Sequence, residues 1–238
     1  MDLDILAFGA HPDDVELGCS GTILSHHNLG FKIGIIDLTR GELGTRGNAD
    51  LRLKEAQIAA SILGVKVREN LFFADGFFNA DQYHLLEVIK KIRHYRPKIV
   101  LCNAFVDRHP DHGRAGKLVS DACFYAGLRR IETDLDGSPQ EVWRPNAVYH
   151  YVQDRHIKPD IAVDITPYFD KKMEAILAFS SQFYSPESDE PETPISGKGF
   201  LELVKGRACD FGRQIGASYA EGFTVERVIG VNNLLDLK

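Results

Sequence analysis

The stretch LDILAFGAHPDDVELGCSG (3–21) decides the fold, and it also raises the first question about function. It begins as an almost continuous apolar run, which is typical of a parallel strand that is covered on both faces. The run leads directly into a turn that carries one histidine and two adjacent aspartates. Neighbouring carboxylates repel each other, so this turn needs something that compensates for the repulsion.

Short apolar runs and longer amphipathic segments alternate along the first half of the chain. Further strands are predicted at 32–39, 67–74 and 97–104, and helices at 15–29, 50–63, 81–95 and 110–127. Gly64 is placed to end the second helix, and Asp81 to begin the third. This repetition predicts right-handed βαβ crossovers and an α/β, Rossmann-like fold, with a largely parallel sheet and helices on both faces.

The second half of the chain carries a weaker signal of the same kind. It predicts strands at 145–152 and 160–166 and helices at 167–180 and 199–217. The segment 184–199 is rich in Pro, Ser and acidic residues, which predicts a surface loop that is mobile or acts as a lid. We expect a single domain over residues 1–238, because no repeat or linker composition divides the chain.

The composition and charge disfavour several classes of function. A net charge of −6 argues against nucleic acid as a partner, because phosphate binding needs a basic face. No apolar stretch approaches the ~20 residues that span a bilayer, so we expect no membrane partner. The chain begins with acidic residues where a secretory peptide is basic, and its four scattered cysteines include no CxxC pair. We therefore expect a cytoplasmic protein with reduced thiols.

A second turn, DRHPDHGR (107–114), repeats the residue types of the first turn after the fourth predicted strand. The candidate residues of the two turns are His11, Asp13 and Asp14, and His109, Asp111 and His112. The carboxyl ends of strands in an open α/β sheet form one ligand-binding edge, so we expect the two turns to lie together. Imidazole and carboxylate without thiolate suit Zn²⁺ or another borderline divalent metal, and a catalytic site of this kind uses about three protein ligands. The remaining candidates are then available for acid–base work.

Several common catalytic motifs are missing from the sequence. The chain contains no HExxH metalloprotease motif, no GxGxxG dinucleotide fingerprint, no GxxxxGK[ST] phosphate loop and no GxSxG elbow. A nucleotide-binding Rossmann protein is therefore disfavoured. A metal- or sugar-binding protein without turnover is a further alternative. Asp13 argues against it, because a pure binder needs no carboxylate beside the ligand pair.

The sequence resembles the PIG-L/LmbE-type zinc-dependent deacetylases, which remove acetyl groups from N-acetylglucosamine linked to another moiety. The resemblance is carried by AHPDDVELGCSGT (10–22), LTRGELGTRGN (38–48) and HPDHG (109–113), and it continues through LAFSSQFY (177–184) to GASYAEGF (216–223). Within that family the chain is most similar to the bacillithiol-pathway enzymes that deacetylate N-acetylglucosaminyl-malate. The resemblance implies Zn²⁺ as the cofactor, with Fe²⁺ as the alternative, and a homo-oligomer.

The motifs of that family imply a role for each candidate residue. The implied roles are zinc ligand for His11, Asp14 and His112, general base for Asp13, oxyanion stabiliser or acid for His109, and orienting residue for Asp111. A positively charged His109, with its pKa raised by Asp111, would stabilise an oxyanion by an amount that is often ~3 kcal/mol. The proton for the leaving amine comes from Asp13 or from His109, and the sequence leaves this choice open.

Four further residues are candidates for substrate binding. Arg46 and Arg52 are expected to face the pocket and bind a substrate anion such as the carboxylates of malate. Tyr184 is expected to close over the zinc and donate to the oxyanion, and Gln182 lies in the same family-like stretch. The expected substrate is a small amino-sugar conjugate, N-acetylglucosaminyl-malate. A related amidase that acts on thiol S-conjugates or on another acetylated glycan is the alternative.

Overall fold

The computed structural model describes residues 1–185 and 188–237, in which a central β-sheet carries helices on both faces. The strands are β1 (Ile5–Gly9), β2 (Ile33–Thr39), β3 (Val67–Phe73), β4 (Ile99–Asn103), β5 (Asp134–Leu135), β6 (Ser138–Pro139), β7 (Ala147–Tyr151), β8 (Ile161–Asp164) and β9 (Ala220–Val225). Strands β5 and β6 form a separate hairpin, and the others join one sheet in the order β3-β2-β1-β4-β7-β9-β8.

Within the residues that the structure describes, six α-helices cover the two faces of this sheet. They are α1 (Asp14–Asn28), α2 (Ala49–Leu63), α3 (Gln82–Tyr95), α4 (Pro110–Tyr125), α5 (Phe169–Leu177) and α6 (Lys198–Gln214). Side chains of a strand alternate between faces, so Leu6 and Phe8 pack with α3 and α4, whereas Ile5 and Ala7 pack with α1. No helix among the described residues is long and apolar enough to cross a membrane.

The predicted α/β fold with a largely parallel sheet is confirmed. Each predicted strand and helix is present, with ends that differ by at most three residues from the prediction. The hairpin and β9 were not predicted. Strand β9 runs antiparallel to both of its neighbours, β7 and β8. Its sequence contains Glu221 and Gly222, and both residue types are depleted in strands. The hydrophobic periodicity of this segment therefore did not predict a strand.

The order of the strands brings the two histidine-containing turns together. Strand β1 lies between β2 and β4 and runs parallel to both. The chain moves outward from β1 to β2 and β3, and then returns to the other side of β1 to begin β4. A topological switch point therefore lies between β1 and β4, and the turns that follow these strands border one crevice.

Helix α1 is interrupted, and a buried ion pair binds the backbone groups on both sides of the interruption. Cys19 leaves the helical conformation inside α1, with φ −149° and ψ 15°. Lys172 Nζ donates to two backbone carbonyl oxygens that precede the break, at 2.8 and 2.9 Å. Glu221 accepts two backbone N–H groups that follow it, at 2.7 and 2.9 Å, and pairs with Lys172 at 2.7 Å. The first turn of α1, which carries Asp14, is fixed to α5 and β9 in this way.

The segment 188–196, called the strap below, is fastened to the loop after β2. The guanidinium of buried Arg46 donates to Ser188 Oγ at 2.6 Å and pairs with Glu190 Oε2 at 3.4 Å. Glu190 also accepts the backbone N–H of Gly47, at 3.0 Å. The expectation that Arg46 faces the pocket is therefore wrong, because its charge holds the strap. Residues 186 and 187 of the predicted 184–199 loop lie outside the described residues.

The buried pair in the α1 interruption predicts a large loss of stability when it is broken. We expect Glu221→Gln to lower the free energy of unfolding by about 3 kcal/mol, because the ammonium of Lys172 loses its counter-charge in a buried site. Urea unfolding measures the change. Asp121→Asn is the control, since the Lys117–Asp121 pair is solvent-exposed, and we expect it to change stability by less than about 1 kcal/mol. Equal effects of the two substitutions would contradict this account.

The fastening of the strap predicts its protection from proteolysis. Replacing Arg46 by Met removes two charged interactions, so we expect cleavage after Glu192 by a Glu-specific protease to become roughly tenfold faster. Mass spectrometry of the fragments over time measures the rate. Arg213→Met, at an exposed position of α6, is the control and should cleave at the wild-type rate. Unchanged cleavage in Arg46→Met would show that other contacts hold the strap.

Candidate active site

A cleft of about 290 Å³ opens where the turns after β1 and β4 meet. Most of the residues predicted from the sequence line it, namely His11, Asp13, Asp14, Arg52, His109, His112 and Gln182. Asp111 is fully buried next to His11, with 3.5 Å between Asp111 Oδ2 and His11 Nε2. Arg46 and Tyr184 are not among the residues that form the wall.

The carboxylate of Asp14 lies at the centre of the site. Its Oδ2 accepts the backbone N–H of His11 at 2.9 Å and the side-chain amide of Asn103 at 3.1 Å. Its Oδ1 accepts the side-chain amide of Gln153 at 2.6 Å. Asp14 also faces two imidazoles, with 3.6 Å from Oδ2 to His11 Nδ1 and 3.2 Å from Oδ1 to His112 Nε2. Asn103 and Gln153 end β4 and follow β7, and sequence reasoning missed both.

Each of these two histidines binds a carboxylate through its other ring nitrogen. His11 Nε2 lies 3.0 Å from Asp75 Oδ1, and His112 Nδ1 lies 2.7 Å from Asp107 Oδ2. A neutral imidazole carries its proton on one nitrogen and a lone pair on the other. When each imidazole is neutral, its carboxylate accepts the proton, so the lone pair of the other nitrogen points toward Asp14. Asp75 and Asp107 lie in loops expected at the ligand-binding edge, but nothing in their local sequence singles them out.

The donor set fits a divalent cation. Two imidazole lone pairs and one carboxylate, all buried and without a thiolate, are the ligands that Zn²⁺ takes in catalytic sites. The field of the site favours positive charge as well. Burial lowers the pKa of His11, but Asp111, Asp14 and Asp75 outweigh burial and raise that pKa well above its usual range. Carboxylates that stabilise a buried imidazolium also stabilise a metal cation.

Two other groups of donors lie close enough together for a metal ion. In one group, His11, His109 and His112 each place a ring nitrogen within 4.8 Å of the others, and His11, Asp75 and Asp111 form the second group. Asp14 belongs to neither group. We favour the set with Asp14 over the three histidines, because the charge of Asp14 offsets that of a dication and His109 is only half-buried. We favour it over the second group because Asp111 does not line the cleft and already pairs with Arg114.

Asp13 lies beside this donor set in an unusual backbone conformation. Its φ is 117°, which is rare for a residue other than glycine and marks local strain. Its buried carboxylate accepts from Arg52 Nη2 at 2.8 Å through Oδ2. Burial raises the pKa of Asp13 to about 7; Arg52 opposes this rise, and Asp14 adds to it. A carboxylate with a pKa near neutrality suits a general base.

Arg52 has partners within the protein on every side of its guanidinium. In addition to Asp13, it donates to the carbonyl oxygens of Pro12 at 3.0 Å and Gly41 at 3.5 Å. These contacts connect α2 to the turn after β1. Arg52 lines the cleft, but its binding of a substrate anion stays a prediction.

His109 begins α4 and differs from the expectation of a charged imidazole. Its Nδ1 accepts the backbone N–H of Asp111 at 3.2 Å. Burial lowers the pKa of His109, and the charges of His11 and His112 lower it further. The carboxylate of Asp111 does not orient His109, because its oxygens accept the N–H of Gly76 at 2.8 Å and pair with Arg114 at 2.8 Å. Both the lowered pKa and the hydrogen bond to Nδ1 favour a neutral imidazole with its proton on Nε2.

Of the two remaining residues predicted to contact substrate, Gln182 lines the cleft and Tyr184 does not. Gln182 lines the cleft, and its Nε2 donates to the carbonyl oxygen of Arg46 at 2.9 Å. Tyr184 instead lies with its ring 5.0 Å from the ammonium of Lys198, so the expectation that it closes over the metal is corrected. The strap supplies the wall near Gln182 through Thr193, Pro194 and Ile195.

Comparison with known proteins agrees with this geometry. A sequence model of the PIG-L family, described as GlcNAc-PI de-N-acetylase, matches residues 6–123, which contain both histidine-containing turns. A conserved protein from Thermus thermophilus, of solved structure, is 35% identical, and the alignment covers 97% of this chain and 98% of that chain with a TM-score of 0.84.

Three curated relatives cover most of the chain. Diacetylchitobiose deacetylase of Thermococcus kodakarensis is 31% identical over 233 residues, 92% of this chain and 81% of that protein. "4-oxalmesaconate hydratase" of Pseudomonas putida is 28% identical and covers 74% of this chain and 73% of that protein. "Probable N-acetyl-alpha-D-glucosaminyl L-malate deacetylase 2" of Bacillus anthracis is 28% identical, and the alignment covers 75% of this chain and 81% of that protein.

The resemblance given by the sequence motifs is therefore confirmed over nearly the whole chain. The two turns that carry the motifs border one cleft. The chain belongs to the PIG-L family of de-N-acetylases, hydrolases that act on amide bonds.

Proposed function

We propose that the protein is a zinc-dependent deacetylase that hydrolyses the acetamide of N-acetylglucosaminyl-malate, a step of bacillithiol biosynthesis. The observation that carries the proposal is a single cleft that joins a donor set for a divalent cation to the strained, buried carboxylate of Asp13. A protein that only binds metal or sugar has no need of that carboxylate, which argues against a role without turnover.

His11, Asp14 and His112 are the proposed metal ligands. A bound zinc ion supplies Lewis-acid polarisation of the amide carbonyl and lowers the pKa of water toward ~7. Asp14 contributes the negative charge of the set, and its hydrogen bonds to Asn103 and Gln153 hold it in place. Fe²⁺ is the alternative metal, because imidazole and carboxylate ligands suit both ions.

Asp13 is the proposed general base. Its Oδ2 is occupied by Arg52, whereas its Oδ1 makes no hydrogen bond within the described residues. In the proposed mechanism Oδ1 takes a proton from the attacking water, and Arg52 keeps the carboxylate in position. A pKa near 7 allows Asp13 to accept this proton and to release it again within one turnover.

His109 is the proposed donor to the oxyanion. Because its Nδ1 accepts a backbone N–H, its proton lies on Nε2 and can be donated to the carbonyl oxygen as negative charge develops. Loss of that proton would leave an imidazolate, which is unfavourable. The proton for the leaving amine therefore comes from Asp13, and His109 remains a hydrogen-bond donor throughout.

The malate conjugate is proposed from the motifs and from the Bacillus anthracis relative. Arg108 lines the cleft and binds Asp154 through Nε, with Nε and Oδ2 3.1 Å apart. Arg52 and Arg108 are the arginines of the cleft wall, and the two Nη atoms of Arg108 make no hydrogen bond within the described residues. We therefore assign Arg108 as the partner for a carboxylate of the aglycone. The cytoplasmic location and the homo-oligomer stay predictions.

A substrate panel tests the proposed function. The zinc-loaded protein is assayed for amine release from N-acetylglucosaminyl-malate, diacetylchitobiose and a thiol S-conjugate, and for hydration of an unsaturated carboxylic acid. We expect the malate conjugate to give the highest kcat/KM. A preference for diacetylchitobiose would overturn the proposed aglycone, and hydration without amine release would overturn the deacetylase itself. Metal analysis of the purified protein distinguishes zinc from iron.

The proposed base predicts the effect of Asp13→Asn. Asparagine has the same shape but does not accept the proton, so we expect kcat to fall at least ~100-fold while bound zinc is retained. Steady-state kinetics and metal content measure the two effects. Asp121→Asn, on the surface of α4, is the control. Full activity of a metal-loaded Asp13→Asn enzyme would exclude Asp13 as the base.

A further inference from the structure

We infer that Asp107 and Asp75 are positioning residues that fix the tautomers of His112 and His11, so that the lone pairs of both histidines face Asp14. This inference rests on the proposed metal site. Neither aspartate is a proposed ligand or reacts with substrate, and each acts through the histidine that it binds.

Asp107 is held in one orientation by the backbone. Its Oδ1 accepts two backbone N–H groups, those of Arg108 and Arg155, each at 2.8 Å. Only Oδ2 remains for His112 Nδ1, at 2.7 Å. The side chain of Asp107 is almost wholly buried, so water does not replace these partners. An oxygen that faces Nδ1 can only accept, and His112 must therefore carry its proton on Nδ1.

Asp75 is fixed in the same way on the other side of the site. Its Oδ2 accepts the backbone N–H of Leu43 at 2.9 Å, and its Oδ1 faces His11 Nε2 at 3.0 Å. His11 also has a second acceptor, because Asp111 Oδ2 lies 3.5 Å from the same nitrogen. His112 has a single carboxylate at its Nδ1. The two aspartates therefore differ in how completely they determine the tautomer.

Substitution by asparagine keeps the shape of the aspartate side chain and changes only which groups accept and donate hydrogen bonds. It therefore tests the effect on the histidine tautomer apart from an effect on packing. In Asp107→Asn, an amide oxygen turned toward His112 would bring the NH₂ group against two backbone N–H groups and lose both hydrogen bonds. The opposite orientation keeps those two bonds and points NH₂ at His112 Nδ1. That nitrogen must then accept, and the proton moves to Nε2, which faces Asp14. A proton at Nε2 blocks metal binding, as a misplaced proton disables other catalytic histidines held by a carboxylate.

The expected consequence is a loss of metal affinity without loss of fold. Outer carboxylates of this kind typically contribute 10–100-fold to metal affinity. We expect zinc affinity to fall about 100-fold in Asp107→Asn. In Asp75→Asn it should fall only about tenfold, because Asp111 remains as an acceptor for His11.

The test compares wild type, Asp107→Asn, Asp75→Asn and the surface control Asp121→Asn. Zinc affinity is measured by competition with a chromophoric chelator, and thermal unfolding of the apo-proteins reports on the fold. In the apo-proteins, at a pH high enough for the imidazoles to be neutral, ¹⁵N chemical shifts of the histidine rings report which nitrogen of His112 carries the single proton. We expect the proton on Nδ1 in wild type and in the control, and on Nε2 in Asp107→Asn.

The outcomes distinguish this inference from the proposed function. Wild-type zinc affinity and an unchanged His112 tautomer in a folded Asp107→Asn protein would overturn the inference. Equal losses in the two variants would overturn the assigned difference between His112 and His11. If either variant fails to fold, the other still carries the affinity and tautomer test for its own histidine. A wild-type protein that binds zinc as expected but releases no amine would refute the deacetylase and leave the inference intact.

Discussion

The site depends on the buried carboxylate of Asp14. Its oxygens accept three hydrogen bonds, from the turn after β1, from the end of β4 and from the segment that follows β7. The same oxygens face the imidazoles of His11 and His112. Removing the charge of Asp14 would therefore do more than delete one ligand, because three segments of the sheet edge share it as an acceptor. The charge compensates for burial only while these partners surround it.

Two adjacent aspartates have opposite properties because their surroundings differ. Burial raises the pKa of Asp14, but the imidazoles of His112 and His11 outweigh burial and hold that pKa well below the usual range. Burial also raises the pKa of Asp13, to about 7, and Arg52 opposes this rise without overcoming it. Asp13 has a positive φ, and its carboxylate accepts from Arg52, which makes no contact with Asp14 among the hydrogen bonds of the described residues. Environments that drive the pKa values of neighbouring carboxylates apart are a general way to obtain one permanent anion and one proton acceptor.

The sequence was sufficient for the parallel strands of the sheet and for the contents of the two turns, but not for the antiparallel strand β9. Apolar runs and helix caps such as Asp81 and Gly64 are local signals, and they predicted most of the elements. Partnerships between loops are not local. Nothing near Asp75 or Asp107 indicates which histidine each one meets, and a spacing of 64 residues separates Asp75 from His11.

The errors on charged residues have the same origin. Arg46 and Arg52 lie in one loop–helix segment and have the same chemistry, yet one holds the strap and the other holds Asp13. Likewise, the sequence HPDH suggests that Asp111 supports the neighbouring His109. Asp111 lies in the first turn of α4, and its carboxylate points to Gly76 and Arg114 instead. Sequence neighbours at a helix start point in different directions, so proximity along the chain did not predict the contact.

The two walls of the cleft have different origins, which bears on how one fold serves different substrates. The inner wall comes from the turns after β1 and β4, where Asp14 and the histidines fix every position through buried hydrogen bonds. The outer wall comes from the strap and from the loop around Leu43, which is exposed. The loop around Leu43 contributes a backbone N–H, not a side chain, to the hydrogen bonds that hold Asp75 and His11. Side-chain changes in the outer wall are therefore compatible with an unchanged inner wall, which lets the aglycone vary while the inner wall is kept. Relatives named as deacetylases and as a hydratase share the fold, and fold alone does not choose between their reactions. That choice depends on the acid–base groups next to the metal ligands, and the groups proposed for this chain are Asp13 and His109.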